Sequence, residues 1–169
     1  GLAEVEAQGR LQLARRLAGS RDEAVQQPQW SPDGRLHFIS DRSGWWNLYR
    51  WGQDGSEALC PMEAEFGQPM WNFGLCTYAF ASAAQLVCAF SHDAVSQLAV
   101  LDTATKALRT LDTPFSHIGN LAAAHGRVLF VGASPLQAAS VCLLQLDDGR
   151  IETLRRGSTL AADPDCSSQ

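Results

Sequence analysis

Basic residues are sparse and scattered in this sequence. Thirteen Lys and Arg stand against eighteen Asp and Glu, the net charge is −5 and the pI is about 5.2, and the only adjacent basic pairs in view are Arg15-Arg16 and Arg155-Arg156. An electrostatic grip on nucleic acid or on an anionic membrane needs clustered cations, so both partner classes are excluded on charge. No apolar run reaches the ~18 residues of a spanning helix, and Gly1 to Arg10 lacks the basic-then-apolar order of a signal peptide. The five cysteines, Cys60, Cys76, Cys88, Cys142 and Cys166, are odd in number and contain no CxxC pair, which argues against a disulfide framework or a zinc site and for reduced thiols in a cytoplasmic setting. HExxH, P-loop and GxGxxG motifs are missing, so no metal or cofactor is expected. Helical periodicity is weak except over Glu4 to Arg16, where it competes with a hairpin centred on Gly9.

Hydrophobic residues, at 46% of the chain, are plentiful enough to drive one domain of 169 residues to fold. They occur in short runs bounded by turn residues: RLHFIS (35 to 40), WNLYRW (46 to 51), QLVCAF (85 to 90), SQLAVLD (96 to 102), RVLFVG (127 to 132) and SVCLLQLD (140 to 147). Their lengths and their aliphatic and aromatic content predict strands. The runs repeat. RRLAGSRDE, EALCPMEAE, LRTLDTP and IETLRRG each read as a short strand with a leucine near its end, at Leu17, Leu59, Leu111 and Leu154, with spacings of 42, 52 and 43. In a second register QPQW (27 to 30) recurs as QPMW (68 to 71). Leu36, Leu86 and Val128 begin equivalent strands, and Leu48, Leu98 and Leu143 lie in the next ones. Four strands recurring every ~40 to 50 residues is the period of a propeller blade. The repeat favours the hairpin over a helix at the amino-terminal end.

SPDG (31 to 34) suits a type I turn, with Pro32 fixing φ at the second position and Gly34 free to take positive φ at the fourth. It is expected to join the innermost strand of a blade to the second, and SDRSG (40 to 44) the second to the third. Blades are covered on both faces by their neighbours, so large side chains are useful on both; Trp30, Phe38, Trp46, Leu48 and Trp71 are the expected core residues.

QPQWSPDGRLHFISDRSGWWNLYRW, followed by EAEFGQPMWNFG and TYAF, resembles the β-propeller domain of the prolyl oligopeptidase family of serine peptidases, in its acylaminoacyl-peptidase and dipeptidyl-aminopeptidase branch. The likeness covers nearly all of residues 2 to 157. SPDG alone is shared with TolB-type propellers. The resemblance implies an all-β partial propeller: an outer hairpin of a preceding blade at 2 to 19, then three four-stranded antiparallel blades at roughly 24 to 65, 66 to 114 and 115 to 157. The second blade carries an insertion, because QPMWNFGLCTYAF is longer than QPQW. Only the later blades of the ring are implied, and the polar, turn-rich stretch 158 to 169 is expected to be a poorly ordered connection toward an α/β-hydrolase domain outside this sequence.

A hydrolase of that family needs the G-x-S-x-G elbow, and the sequence has none: GASPL (132 to 136) ends on Leu136 and GSTLA (157 to 161) has its serine one place early. No catalytic role is therefore assigned to this chain. His37 is placed in a strand, His92 and His125 at turns, and His117 in a connection, none with ligand-like neighbours. Asp22-Glu23 and Glu63-x-Glu65 precede successive innermost strands, with Asp112 near the third such place. These connections should share one end face near the central channel. There the four carboxylates could meet a peptide's cationic amino terminus, as propeller glutamates do in the dipeptidyl-aminopeptidase branch, or pair with Arg21, Arg42 or backbone N–H groups. Arg42 is expected to be structural, bridging to a neighbouring carboxylate. The resemblance implies a gating role for a separate hydrolase domain, with that domain, the remaining blades and a peptide substrate as partners; the alternative is a TolB-like scaffold with no enzyme attached. Open blade faces are expected to make the isolated chain associate with itself.

Overall fold

The computed structural model describes residues 2 to 12, 14 to 71 and 73 to 158. Residues 159 to 169, with Cys166 and most of the predicted connection, lie outside the described residues. Among those described there is no helix, and hence none long and apolar enough to cross a membrane. The strands are β1 (Val25–Trp30), β2 (Leu36–Ser40), β3 (Asn47–Gly52), β4 (Gly55–Ala58), β5 (Tyr78–Phe80), β6 (Gln85–His92), β7 (Val95–Asp102), β8 (Leu108–Leu111), β9 (His117–Ala124), β10 (Arg127–Ser134), β11 (Gln137–Gln145) and β12 (Ile151–Arg156). They form three four-stranded antiparallel sheets, each a simple meander of four consecutive strands. The fold is a partial β-propeller whose ring is not closed.

Turn chemistry sets the sheet boundaries. In SPDG, Gly34 donates its N–H to the Ser31 carbonyl at 2.9 Å with φ at +78°, and the Ser31 hydroxyl accepts the Arg35 N–H at 3.0 Å, so β1 reverses into β2. In SDRSG, the Gly44 N–H reaches the Asp41 carbonyl at 2.8 Å and β2 reverses into β3. Around Gly9 the bridges Leu2↔Arg15 and Val5↔Leu11 form a hairpin, deciding that segment against helix.

Side-chain alternation then does the packing. On β6 and β7 of the middle sheet, Leu86, Cys88, Phe90, Ala99 and Leu101 point into one core with Ile39, Leu48 and Leu59 of the first sheet. The alternate residues Val87, Ala89, Leu98 and Val100 point into a second core with Ile118, Val128, Phe130, Cys142 and Leu144 of the third. Each fully buried Leu or Phe contributes about 1.5–3 kcal/mol, so these two interfaces dominate stability. The third sheet's outward residues Leu129, Val131, Val141 and Leu143 occupy the cross-strand positions of Val87, Ala89, Leu98 and Val100, yet they are only partly covered, Leu129 being 40% exposed.

Polar ties run between the sheets as well. Gln27, at a bulge of β1 and at φ +51°, accepts the Thr77 N–H on its side chain at 2.8 Å and the Tyr78 hydroxyl on its carbonyl at 2.7 Å. These bonds offset the cost of a left-handed non-glycine residue. Asn120, at the matching bulge of β9, has φ +53°. At the far edge of the first interface, Arg50 donates to Glu57 at 2.7 Å and to the Thr103 carbonyl at 3.0 Å, while Lys106 reaches Glu57 at 2.7 Å. His37, on the same face of β2 as Ile39, is buried edge-on to Phe80 at 4.9 Å. Its Nδ1 donates to the Arg35 carbonyl at 3.1 Å, its Nε2 has no partner among the described residues, and burial pushes its pKa down.

Several expectations are corrected. Trp30 is 55% exposed and Trp71 85% exposed, so neither is a core residue, whereas Phe38 and Leu48 are buried and Trp46 is half-buried against the first interface. Trp30 ends β1 beside the small amino-terminal hairpin, where Leu2 and Leu17 line a shallow pocket with it. Trp71 is not in an innermost strand at all: QPMW lies in the connection between β4 and β5, and Phe80, opposite Leu86, takes the place that Trp30 has opposite Leu36. His117 begins β9 instead of sitting in a connection, because its backbone pairs with Ala133.

Hydrogen bonds from Lys106 and then Arg50 hold the Glu57 carboxyl well below its ordinary 4.5, at about 2. A carboxylate depressed on folding stabilises the chain fully above pH 4.5, and that stabilisation fades as pH falls toward 2. The side chain is 42% exposed, so solvent screening limits the effect to about 1 kcal/mol or less. Urea denaturation of Glu57→Gln beside the parent sequence should show a deficit at neutral pH that shrinks steadily below pH 4.5; a deficit independent of pH would remove the ion pair from the account.

Candidate functional site

Odd-numbered strands all start at the same end of their sheets, so the turns β2–β3, β6–β7 and β10–β11 and the connections between sheets gather on one end face. The first inter-sheet connection runs from 59 to 77, the second only from 112 to 116. The long one first folds back onto its own sheet. The Asn47 side chain donates to the Met62 carbonyl at 3.0 Å and accepts the Met62 N–H at 2.8 Å, and the Phe66 N–H reaches the Trp46 carbonyl at 2.7 Å. Glu65 pairs through its backbone with Ser91 in both directions at 2.9 Å, and its Oε2 accepts the Trp46 N–H at 3.0 Å. From Gly67 onward the connection runs across the end face, and the Gln68 amide reaches the Ile118 carbonyl of the third sheet at 3.4 Å.

This path encloses an open groove of about 1020 Å³ spanning all three sheets. Its walls include Trp46 and Glu65 on one side, Met70, Trp71 and Leu75 on the loop, and His117 at the start of β9. Among the described residues, Glu65 is the one carboxylate in the lining, and no Lys or Arg contributes to it.

The acidic residues singled out in the sequence, Asp22, Glu23, Glu63, Glu65 and Asp112, differ in their surroundings. Glu65 lines the groove. Glu23 is engaged elsewhere: its Oε1 accepts from Arg42 Nε at 2.8 Å and Nη2 at 2.5 Å and from the Ser40 hydroxyl at 2.6 Å, and its Oε2 accepts the Gly19 N–H at 3.1 Å. Burial alone would raise the Glu23 carboxyl, but the hydrogen bonds from Ser40 and Arg42 outweigh it and hold it below its ordinary range. Arg42 also lies 4.9 Å over the Tyr49 ring. It thus ties the β2–β3 turn to the segment entering β1, both guanidinium nitrogens converging on a single oxygen. Asp22, Glu63 and Asp112 are exposed and do not line the groove.

Nucleophile chemistry has no foothold among the buried thiols. Burial pushes Cys60 up to about 12 and raises Cys88 as well, so both stay protonated at neutral pH. Cys60, Cys76, Cys88 and Cys142 are free. Ser134 of GASPL closes β10, where its backbone pairs with Gln137 in the tight turn to β11; no helix follows. No group of three or more potential metal-ligating side chains occurs among the described residues. Sequence reading missed His117 and the apolar loop positions Met70 and Leu75. The signal that could have found the loop was the extra length of QPMWNFGLCTYAF.

No family model matches the chain, and no curated protein matches it in sequence. Solved structures do. A Mycobacterium tuberculosis puromycin-hydrolyzing peptidase superposes with a TM-score of 0.89 at 33% identity over 99% of this chain and 26% of that one. A puromycin hydrolase follows at 0.84 and 31%, covering 94% of this chain and 24% of that one. TolB from Acinetobacter baumannii, at 0.59 and 14% identity over 78% of this chain and 32% of that one, shares the fold alone. Three radially packed four-stranded meanders thus define a β-propeller part, here spanning about a quarter of the length of the peptidases it matches. Over its whole length the chain is similar to a part of these puromycin-hydrolysing peptidases, which are members of the prolyl oligopeptidase family.

The groove wall depends on a close approach at Gly67. A Cβ there would sit 2.5 Å from the Gln26 amide nitrogen and 3.0 Å from Trp46 Cβ. The amide can swing away; the tryptophan Cβ cannot. Gly67→Ala is expected to cost about 1–3 kcal/mol by urea denaturation and to shift the Trp46 indole N–H resonance; a variant with parent-like stability and spectrum would show that the wall is not held at this point.

Proposed function

We propose that this chain is a non-catalytic part of a serine peptidase, and that it gates and positions short peptides for a separate α/β-hydrolase domain. The observation that supports the reading is the 33% identity over 99% of the chain with a puromycin-hydrolyzing peptidase of which the chain covers only 26%. The groove is consistent with it, since an open channel-side cleft bordered by a long loop is what a filter for small substrates requires. By the same likeness, the full protein acts on short peptides or on puromycin. Asp22, Glu23, Glu63 and Glu65 remain substrate-contact candidates of unequal standing: Glu65 lines the groove, while Glu23 would have to give up Arg42. A TolB-type scaffold without an enzyme has only the fold likeness in its favour.

The experiment uses the full protein containing this chain, assayed on aminoacyl-anilides and on a ladder of peptides of increasing length. Hydrolysis should fall off with length, and replacing residues 67 to 75 by a connection as short as 112 to 116 should raise the rate on the longer peptides several-fold relative to the anilide. No hydrolysis of any of these substrates, or a length profile indifferent to the loop, would refute the reading.

The partners follow from the same proposal. In the full protein another blade covers Leu129, Val131, Val141 and Leu143. In the isolated chain a second copy takes that place, because an apolar sheet face left in water favours association. Light scattering of the isolated chain should report a mass above 18.3 kDa that drops when Leu129 and Val141 are changed to Lys; a monomer at high concentration would contradict it.

A further inference from the structure

The long connection between the first two sheets spends three large apolar side chains on solvent. Met70, Trp71 and Phe73 are all exposed, and Trp71 forms part of the groove wall with most of its indole in water. Exposed aromatics concentrated on one loop, beside a cleft, mark a contact surface and not a packing requirement. The strands described do not use them: β5 begins at Tyr78, and the second inter-sheet connection makes its crossing over 112 to 116.

We propose that Trp71, with Met70 and Leu75 beside it and Trp46 across the groove, forms a receptor for the aromatic or large apolar side chain of a peptide. The inference rests on the preceding reading only in taking a peptide as the ligand. Three observations carry it. The lining brings Trp46, Met70, Trp71 and Leu75 to one cleft among the polar side chains of Gln26, Gln68, Ser91, Ser96 and His117, and Met70 and Trp71 are uncovered, so an inserted side chain removes apolar surface on both partners from water. The opposite wall is held before any ligand arrives: the Trp46 N–H is bonded to Glu65, the Trp46 carbonyl accepts from Phe66, and Gly67 allows the loop to pass against the ring. Among the described residues the lining holds the Glu65 carboxylate and His117 but no Lys or Arg, which disfavours acidic side chains and ligands whose carboxylate must lie in the cleft. The occupant is therefore a neutral or cationic peptide bearing an aromatic or long aliphatic side chain, and Trp71 is its specificity-determining contact.

The test uses this chain labelled with ¹⁵N and two amidated probes, Gly-Phe-Gly-NH₂ and Gly-Ala-Gly-NH₂, with Gly-Glu-Gly-NH₂ as the acidic control. Of the five tryptophan indole N–H signals, those of Trp71 and Trp46 should move on adding the phenylalanine peptide, and that of Trp30, exposed away from the groove, should not. Trp71→Ala removes an exposed side chain and leaves the sheets intact. It should weaken the phenylalanine peptide about tenfold and bring its affinity close to that of the alanine peptide, whereas Trp30→Ala should change neither. Equal affinity for the phenylalanine and alanine peptides, an unchanged affinity in Trp71→Ala, or no shift with any probe would each overturn the proposal. Failure here leaves the length filter intact, because that is read from hydrolysis by the full protein. A full protein that binds the probe at Trp71 but hydrolyses nothing would overturn the peptidase reading alone.

Discussion

The middle sheet is covered on both faces, and everything else in the molecule is arranged around that constraint. A strand of period two presents alternate residues to opposite sides, so a sheet packed between two neighbours must be apolar at every position and not at every second one. The runs LVCAF in β6 and LAVL in β7 satisfy this, with Leu86 and Cys88 serving one neighbour and Val87 and Ala89 the other. The third sheet is under weaker demand on its outward face, and β10 and β11 fall back to alternating burial. Packing of this kind spaces the sheets but leaves their innermost strands free to slide. Gln27 and Gln68 remove that freedom by reaching from one sheet into the next.

Position at the end face follows from the same arrangement. Once the sheets are packed side by side, the connections between them share one end face, and extra length in one of them has to run over that face. The connection 59 to 77 takes this route, anchored by Asn47 and Glu65 before it departs across the groove. Glu65 is therefore as much a structural residue as a site residue, since it orients the strand start that carries Trp46. Glu23 shows the other outcome for an acidic residue at a comparable point in the chain. It is engaged by Arg42, Ser40 and the Gly19 N–H and holds a turn in place.

Much of the fold was legible in the residues. SPDG and SDRSG marked two reversals because proline presets φ in the first and glycine accepts positive φ in both, whatever the rest of the chain does. The leucine spacing exposed the blade period, and family likeness rested on the first blade, where QPQWSPDGRLHFISDRSGWW is dense in turn and aromatic residues. Legibility failed where a motif recurred without its context. QPMW copies QPQW in sequence, yet Phe80 and not Trp71 stands opposite the second strand, because strand pairing depends on which backbone groups meet and not on local composition. The ionic tie of Arg50, Glu57 and Lys106 was equally invisible, since Lys106 reaches Glu57 from a different sheet.

The sequence by itself determined the strand repeat and the turns at SPDG and SDRSG, because these rest on local φ preferences and on apolar periodicity within a few residues. Only the tertiary structure decided which tryptophans are buried, which of four carboxylates faces the groove and where the long loop lies. Those outcomes depend on how one sheet is set against the next, and residues far apart in the chain are brought together only when the blades pack.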